Sequence, residues 1–364
     1  MATVRRTTIL MTATPESDHD WRERAIEILA EYALAGAAIE RIPQGLVNLT
    51  LKLTTASGQR FVLQRLHPVF GVSVNDNIAQ VTAHLARHGL LTPSLVRTLD
   101  GASCVVRERA IWRLLSFVDG CAFDRVAGPA QAQAAGGLLA RFHRALADFD
   151  GRLVSERPPI HDFPRHRARL AAARAAHAGH RLVTAVTAID DRIAACAAAY
   201  PPPAATSLRL VHGDPKISNM LFDADGTTAL CMIDLDTLAT LPLALELGDA
   251  LRSWCNPTAE DAADARFDLN LFSAALSGYA AEARDFISAD ERAAIVPATL
   301  AIHLELATRF LIDALEENYF GWDAARYGSR GEHNLARARG QWRAAQSLIA
   351  QWPDLVQALA QVFA

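Results

Sequence analysis

The chain has 364 residues, 51% of them hydrophobic and 21% charged, with a formal net charge of -4. It exceeds the roughly 250–300 residues at which a single core stops growing, so two lobes are expected, and its composition excludes a chain dominated by disorder. A pI near 6.3 supplies no broad basic field for a nucleic-acid backbone, which leaves a small molecule as the expected ligand.

Residues 1–20 read as a tail. Arg5 and Arg6 precede an apolar stretch, but Thr12, Thr14 and Pro15 interrupt it, so no signal-peptide core is expected. No run reaches about 18 uninterrupted apolar residues, the length a membrane span needs. The five cysteines, Cys104, Cys121, Cys196, Cys231 and Cys255, form no CxxC pair. They read as buried thiols in a reducing compartment, and the expected location is cytoplasmic.

Ser17 or Asp18 can cap a helix in which Trp21, Ala25, Ile28 and Tyr32 recur at helical spacing. From Leu46 the period changes to two. Leu49, Leu51 and Leu53 alternate with Thr50, Lys52 and Thr54, and Ser57-Gly58 turns the chain into Phe61-Val62-Leu63, which predicts a β-hairpin. A helix over about 78–88 follows, then extended segments near Leu95 and over 104–117, with a turn at Asp100-Gly101. Alanine-rich helices are predicted over 131–149 and about 165–200, the latter ended by Pro201 to Pro203. Strands return at 208–211, 220–222 and 229–233, and the remaining third is helical without a solenoid repeat. The expected fold class is α+β, with an N-lobe over 21–117, an antiparallel sheet with one inserted helix, and a mostly helical C-lobe over 118–364.

Two polar loops sit among those strands. Leu210-Val211-His212-Gly213-Asp214-Pro215-Lys216-Ile217-Ser218-Asn219 leads into Met220-Leu221-Phe222, and Cys231-Met232-Ile233 leads into Asp234-Leu235-Asp236. Phosphoryl transfer from ATP needs a carboxylate to orient the acceptor hydroxyl and take its proton, and oxygen ligands to hold Mg²⁺ against the phosphates. The spacing Asp214-x-Lys216-x-x-Asn219 matches a kinase catalytic loop, with Asp214 as base, Asn219 as metal ligand and Asp234 as the second metal-binding carboxylate. Asp236 is a further candidate ligand, and Lys216 a candidate for the γ-phosphate. His212 reads as scaffolding, and Asp249 in Leu247-Gly248-Asp249 as the cap of a helix beneath the loop.

These residues, with Gly45-Leu46-Val47-Asn48 and Leu139-x-x-Phe142-His143, resemble the aminoglycoside phosphotransferase and choline kinase family over about 39–249. The resemblance implies a two-lobed protein-kinase-like fold, ATP and Mg²⁺ as cofactors, a phosphate approach at Gly45 and Asn48, and a hinge near Ser116 to Val118. It also exposes a departure. The third strand carries Gln64 and Arg65 where relatives carry a phosphate-gripping lysine, and the next helix offers Asn75, Asn77 and Gln80 in place of its glutamate. A catalytically silent nucleotide-binding module is the alternative that this departure motivates.

Within the family, Phe61 to Arg65, Trp112-Arg113, Ile233 to Thr237 and Thr308 to Leu311 are most similar to N-acetylhexosamine 1-kinases. That likeness implies transfer to the anomeric hydroxyl of an amino sugar, with Arg309 holding sugar hydroxyls and Tyr319 near the acetamido group. An aminoglycoside or choline-like amine is the alternative acceptor, since Glu305, Asp313, Glu316 and Glu317 can supply a cation site. Glu305, Arg309 and Asp313 fall on one helical face, which also suits a salt-bridged surface stripe. No nucleic-acid or membrane partner is expected, and the chain is expected to be a monomer or dimer.

Overall fold

The computed structural model describes residues 18–42, 48–154, 161–203 and 206–364. They fall into two compact units, Met1–Val72 with Leu95–Phe117, and Ser73–Ser94 with Val118–Ala364.

The first unit contains α1 (Asp18–Ala30), β1 (Ala38–Arg41), β2 (Leu49–Thr54) and β3 (Arg60–Arg65). After α2 (Ser73–Arg87), which belongs to the second unit, come β4 (Leu95–Val96), β5 (Val105–Arg107) and β6 (Ala110–Ser116). The strands form one antiparallel sheet in the order β1-β2-β3-β6-β4, with β5 also on β6. The period-two alternation explains its buried face. Leu51 lies opposite Leu63, and Leu51, Leu53 and Leu63 are fully buried with Trp112 and Leu114 against Trp21, Ala25, Ile28 and Leu29 of α1. Each such leucine contributes about 1.5–3 kcal/mol. The expected extended run over 104–117 is a hairpin that turns at Glu108 and Arg109, both left-handed at φ 48° and 67°. Neither is a glycine or asparagine, so the usual sequence signal of this turn is missing.

The helix expected inside the N-lobe packs instead with the second unit. Asn77 exchanges two hydrogen bonds with the backbone of Val154, at 2.8 and 3.0 Å. His84 Nε2 donates to the carbonyl of Ala145 at 2.7 Å. Asn77 and His84 therefore find their partners beyond residue 118.

The second unit continues with α3 (Pro129–Ala145), α4 (Phe163–Ala176), α5 (Val183–Ala199), β7 (Leu208–Val211), β8 (Met220–Phe222), β9 (Ala229–Met232) and β10 (Ala239–Pro242). It ends with α6 (Leu243–Trp254), α7 (Leu269–Ala283), α8 (Ala289–Ala293), α9 (Ile295–Glu316), α10 (Arg330–Ala350) and α11 (Trp352–Phe363). The helix expected over about 165–200 is two, α4 and α5. Between them His177-Ala178-Gly179-His180 lacks the apolar periodicity that would give a continuous helix a face to bury. Helices α3 and α7 touch backbone to backbone: a Cβ on Gly136 would stand 1.9 Å from Ala275 O, and one on Gly278 1.9 Å from Gln133 O. Helix α9 is long and apolar enough to cross a membrane, but 78% of its most apolar window is buried inside the protein, where it is the central core helix. All five cysteines are free. Cys196, Cys231 and Cys255 are buried as expected, whereas Cys104 is half-buried and Cys121 exposed.

Candidate active site

Two small antiparallel ladders present the polar loops. β7 pairs with β10, Val211 opposite Ala239, and β8 pairs with β9, Met220 opposite Met232. Residues 212–219 and 233–238 therefore leave neighbouring strand ends.

The loops are fixed by buried groups. Glu246 on α6 is fully buried, and its two carboxylate oxygens accept the backbone N–H groups of His212 and Gly213, each at 3.0 Å. His212 is scaffolding, as the sequence predicts: its Nδ1 accepts the Asp214 N–H at 3.3 Å, so Nε2 carries the proton and donates to Ile233 O at 2.8 Å. One imidazole thus ties the base loop to the second carboxylate loop. Thr237 Oγ1 donates to His212 O at 3.0 Å, and Trp254 Nε1 to Pro215 O at 2.9 Å. Gly213 has φ 82°, and a Cβ there would stand 2.1 Å from Thr237 O, so only glycine lets the loops lie this close.

Asp214, Lys216 and Asn219 come together on that frame. Lys216 Nζ lies 2.7 Å from Asp214 Oδ2, and Asn219 Nδ2 donates to Asp214 O at 2.9 Å and Oδ2 at 3.1 Å. Burial by itself would raise the Asp214 carboxyl, but the Lys216 ammonium, with His212 and Arg252 behind it, outweighs burial and holds it below the ordinary aspartate value. Burial would likewise lower the Lys216 ammonium, and Asp214, Asp234 and Asp249 together keep it above the usual lysine value. The pair is ionised at neutral pH, with Asp214 available as a proton acceptor and Lys216 as a fixed positive charge.

The donor set suits a divalent cation. Asn219 spends its amide hydrogens on Asp214, which leaves its side-chain oxygen as the free ligand end. Asp234 is exposed and stands at φ 61°, ψ 52°, a left-handed conformation uncommon outside glycine and typical of functional sites. Asp236 follows in a short 3-10 turn, Leu235–Thr237, and is buried. Oxygen donors of this kind are those that Mg²⁺ or Ca²⁺ takes.

Other sequence expectations fare differently. Asp249 is not a helix cap: it lies inside α6 and pairs with Arg252 at 2.8 Å. Asp313 is no surface stripe. It is buried and accepts the backbone N–H groups of Asn318, Tyr319 and Phe320 and the amide of Asn334, each at 2.8 Å, closing the end of α9. Tyr319 is 59% exposed. Arg309 is half-buried, with its guanidinium 5.6 Å from the centre of the Phe320 ring and, among the described residues, no carboxylate at ion-pair distance. Glu305, on the same helix, accepts from His161 Nδ1 at 2.9 Å. Burial would lower the His161 imidazolium, but Glu305, followed by Asp249, keeps it above the usual histidine value.

In the first unit Gly45 lies outside the described residues. Asn48 Oδ1 accepts the His67 N–H at 2.9 Å. Gln64 Oε1 accepts from Nε and Nη2 of the buried Arg113 at 2.9 and 2.6 Å, and Gln64 Nε2 donates to Thr50 at 3.3 Å. Arg65 lies over the Trp112 ring, 6.0 Å from its centre. Ser116 ends β6, and Val118 begins the longer segment of the second unit. Sequence reasoning passed over Glu246 and His161 as site residues. A lone buried charge in an apolar stretch was their only signal.

A curated homoserine kinase from Hyphomonas neptunium is 29% identical over 293 residues, covering 79% of this chain and 84% of its own. A microcompartment-associated aminopropanol kinase superposes with a TM-score of 0.60 at 14% identity, over 93% of this chain and 99% of that one. An amicoumacin kinase in complex with AMP-PNP, Ca²⁺ and Ami superposes at 0.63 and 14%, over 89% and 92%. These structures share the two-lobed α+β, protein-kinase-like fold. The phosphotransferase enzyme family, APH, matches residues 38–284. Matched over more than half its length, the chain belongs to that phosphotransferase family.

Proposed function

We propose that the protein transfers the γ-phosphoryl group of ATP, with Mg²⁺, to the hydroxyl of a small amino alcohol. The observation that carries this reading is the Asp214 carboxylate held between Lys216 and Asn219. Asp214 orients the acceptor hydroxyl and takes its proton as the acceptor oxygen bonds to the γ-phosphorus and the bond to the β,γ-bridging oxygen breaks. Lys216 offsets charge on the transferred group. Asn219, Asp234 and Asp236 would hold the cation, which would neutralise phosphate charge when bound. Gly45, Asn48, Gln64, Arg65, Ser116 and Val118 are the proposed nucleotide contacts. Presence of the base and all three ligands argues against a silent module.

An amine on the acceptor is supported by the relatives rather than by a free carboxylate, because Asp249 is paired with Arg252 and Glu305 with His161. Arg309 suits a carboxylate or hydroxyl on the same acceptor. Homoserine and aminopropanol, the acceptors named in two of the relatives, are amino alcohols. The N-acetylhexosamine reading is second, favoured by the Arg309, Tyr319 and Phe320 patch: Tyr319 and Phe320 rings lie 4.8 Å apart, edge to face, and such rings stack on sugars.

Phosphorus NMR of products from Mg²⁺, ATP and a panel of amino alcohols, aminoglycosides and N-acetylhexosamines separates the two. A phosphomonoester of an amino alcohol is the expected product. An anomeric sugar phosphate alone would move the acceptor to the second reading.

A further inference from the structure

Three side chains of the second unit meet in an arrangement that phosphoryl transfer does not use. His84 and His88 stand four residues apart on α2, hence one above the other on a single face, with ring centroids 4.7 Å apart. Asp148, just beyond α3, places one oxygen, Oδ1, 3.1 Å from His84 Nε2 and 3.2 Å from His88 Nε2. The three ligand atoms lie within 4.8 Å of one another, and among the described residues no other group of histidine, cysteine and carboxylate side chains comes together so closely.

Metal–ligand bonds of about 2.0–2.1 Å in a tetrahedral zinc site separate neighbouring ligand atoms by about 3.3 Å. Both His–Asp separations are already close to that edge. His84 is 5% exposed and backed by the edge of the Phe149 ring at 5.3 Å, whereas His88 and Asp148 are 37% and 67% exposed, which leaves an open side for a water ligand. We propose that His84, His88 and Asp148 form a site for a divalent transition metal, zinc or an ion of similar preference, that clamps α2 to the end of α3.

Two neighbours oppose the ion, Arg87 and the Ala145 carbonyl, which loses the His84 proton on binding. Arg87 Nη2 lies 3.2 Å from His84 Nδ1, which keeps the His84 proton on Nε2, where it is donated to Ala145 O. Binding moves that proton to Nδ1 and turns the exposed Arg87 aside, with no change in imidazole charge. The clamp also has a position that matters, because α2 packs against the 3-10 turn that carries Asp236.

The test is calorimetry and Co²⁺ absorption on the full chain, titrated with Zn²⁺ or Co²⁺ alone, for the wild type and for H88A, D148N, R87A and D234N. One ion is expected at this site, in addition to any held at Asp234, with affinity at this site weakened about tenfold or more in H88A and D148N, in line with losses at metal sites. Tighter binding in R87A, no change in D234N, and visible Co²⁺ bands that vanish in H88A complete the expected pattern. His88 and Asp148 are exposed enough that both variants should keep the metal-free melting temperature. Equal binding in wild type and H88A, loss only in D234N, or no binding at all would overturn the proposal.

Discussion

Nζ of Lys216 lies 2.7 Å from Oδ2 of Asp214, an ion pair inside the loop that carries the candidate base. The pair decides the charge of the site, because burial and Lys216 push the Asp214 carboxyl in opposite directions and Lys216 prevails.

Replacing Lys216 by methionine leaves burial unopposed by the strongest of these charges. The Asp214 carboxyl should then titrate higher, so the acid limb of kcat/KM against pH should move to higher pH as well as activity falling. An acid limb that stays in place would mean that Lys216 does not set the charge of the base.

Glu246 holds the loop through two buried N–H groups. Glu246→Ala leaves both without an acceptor, at about 1–3 kcal/mol each, and Glu246→Gln leaves one. Urea unfolding should therefore show a loss of about 2–6 kcal/mol for the alanine variant and roughly half of it for the glutamine variant.

His161 and Glu305 make stability depend on pH. The folded value of His161 lies above its ordinary 6.5, so the pair's contribution is fully present below about 6.5 and is lost as pH rises through the folded value. Wild type should lose stability relative to Glu305→Gln between pH 6 and 9 in denaturant titrations. Parallel profiles would exclude a charged pair.

Both ends of the Gln64 carboxamide are engaged, its oxygen by Arg113 and its nitrogen by Thr50. Gln64→Ala removes two hydrogen bonds to a buried guanidinium and should cost about 1.5–3 kcal/mol of stability. A rise in the Kd for ATP with stability unchanged would instead identify Gln64 as a phosphate ligand without a structural part.

The helices and hairpins were legible where burial imposes a period. Leu49 to Leu53 alternate because one face of β2 is buried, and Trp21 to Tyr32 recur because α1 covers that face. The candidate loop stood out because a carboxylate and metal ligands for phosphoryl transfer need set spacings, which Asp214, Asn219 and Asp234 have. What the sequence hid depends on contacts far along the chain. β1 and β10 are four-residue strands whose pairing partners, not their composition, make them strands. The turn at Glu108 and Arg109 lacks its expected glycine or asparagine. Asp249, read as a cap, is tied to Arg252, and Asp313, read on a surface stripe, closes a helix end through residues five to seven further on. A carboxylate has the same letter whether it caps, pairs or catalyses.

The most direct test of phosphoryl transfer centred on Asp214 is ADP release in the presence of Mg²⁺, ATP and a hydroxyl acceptor, for the wild type and Asp214→Asn. The expected result is acceptor-stimulated release by the wild type and a kcat lower by about 10²–10⁴ in the variant, the usual contribution of a general base. Equal release by the two proteins would contradict the assignment of Asp214 as the base.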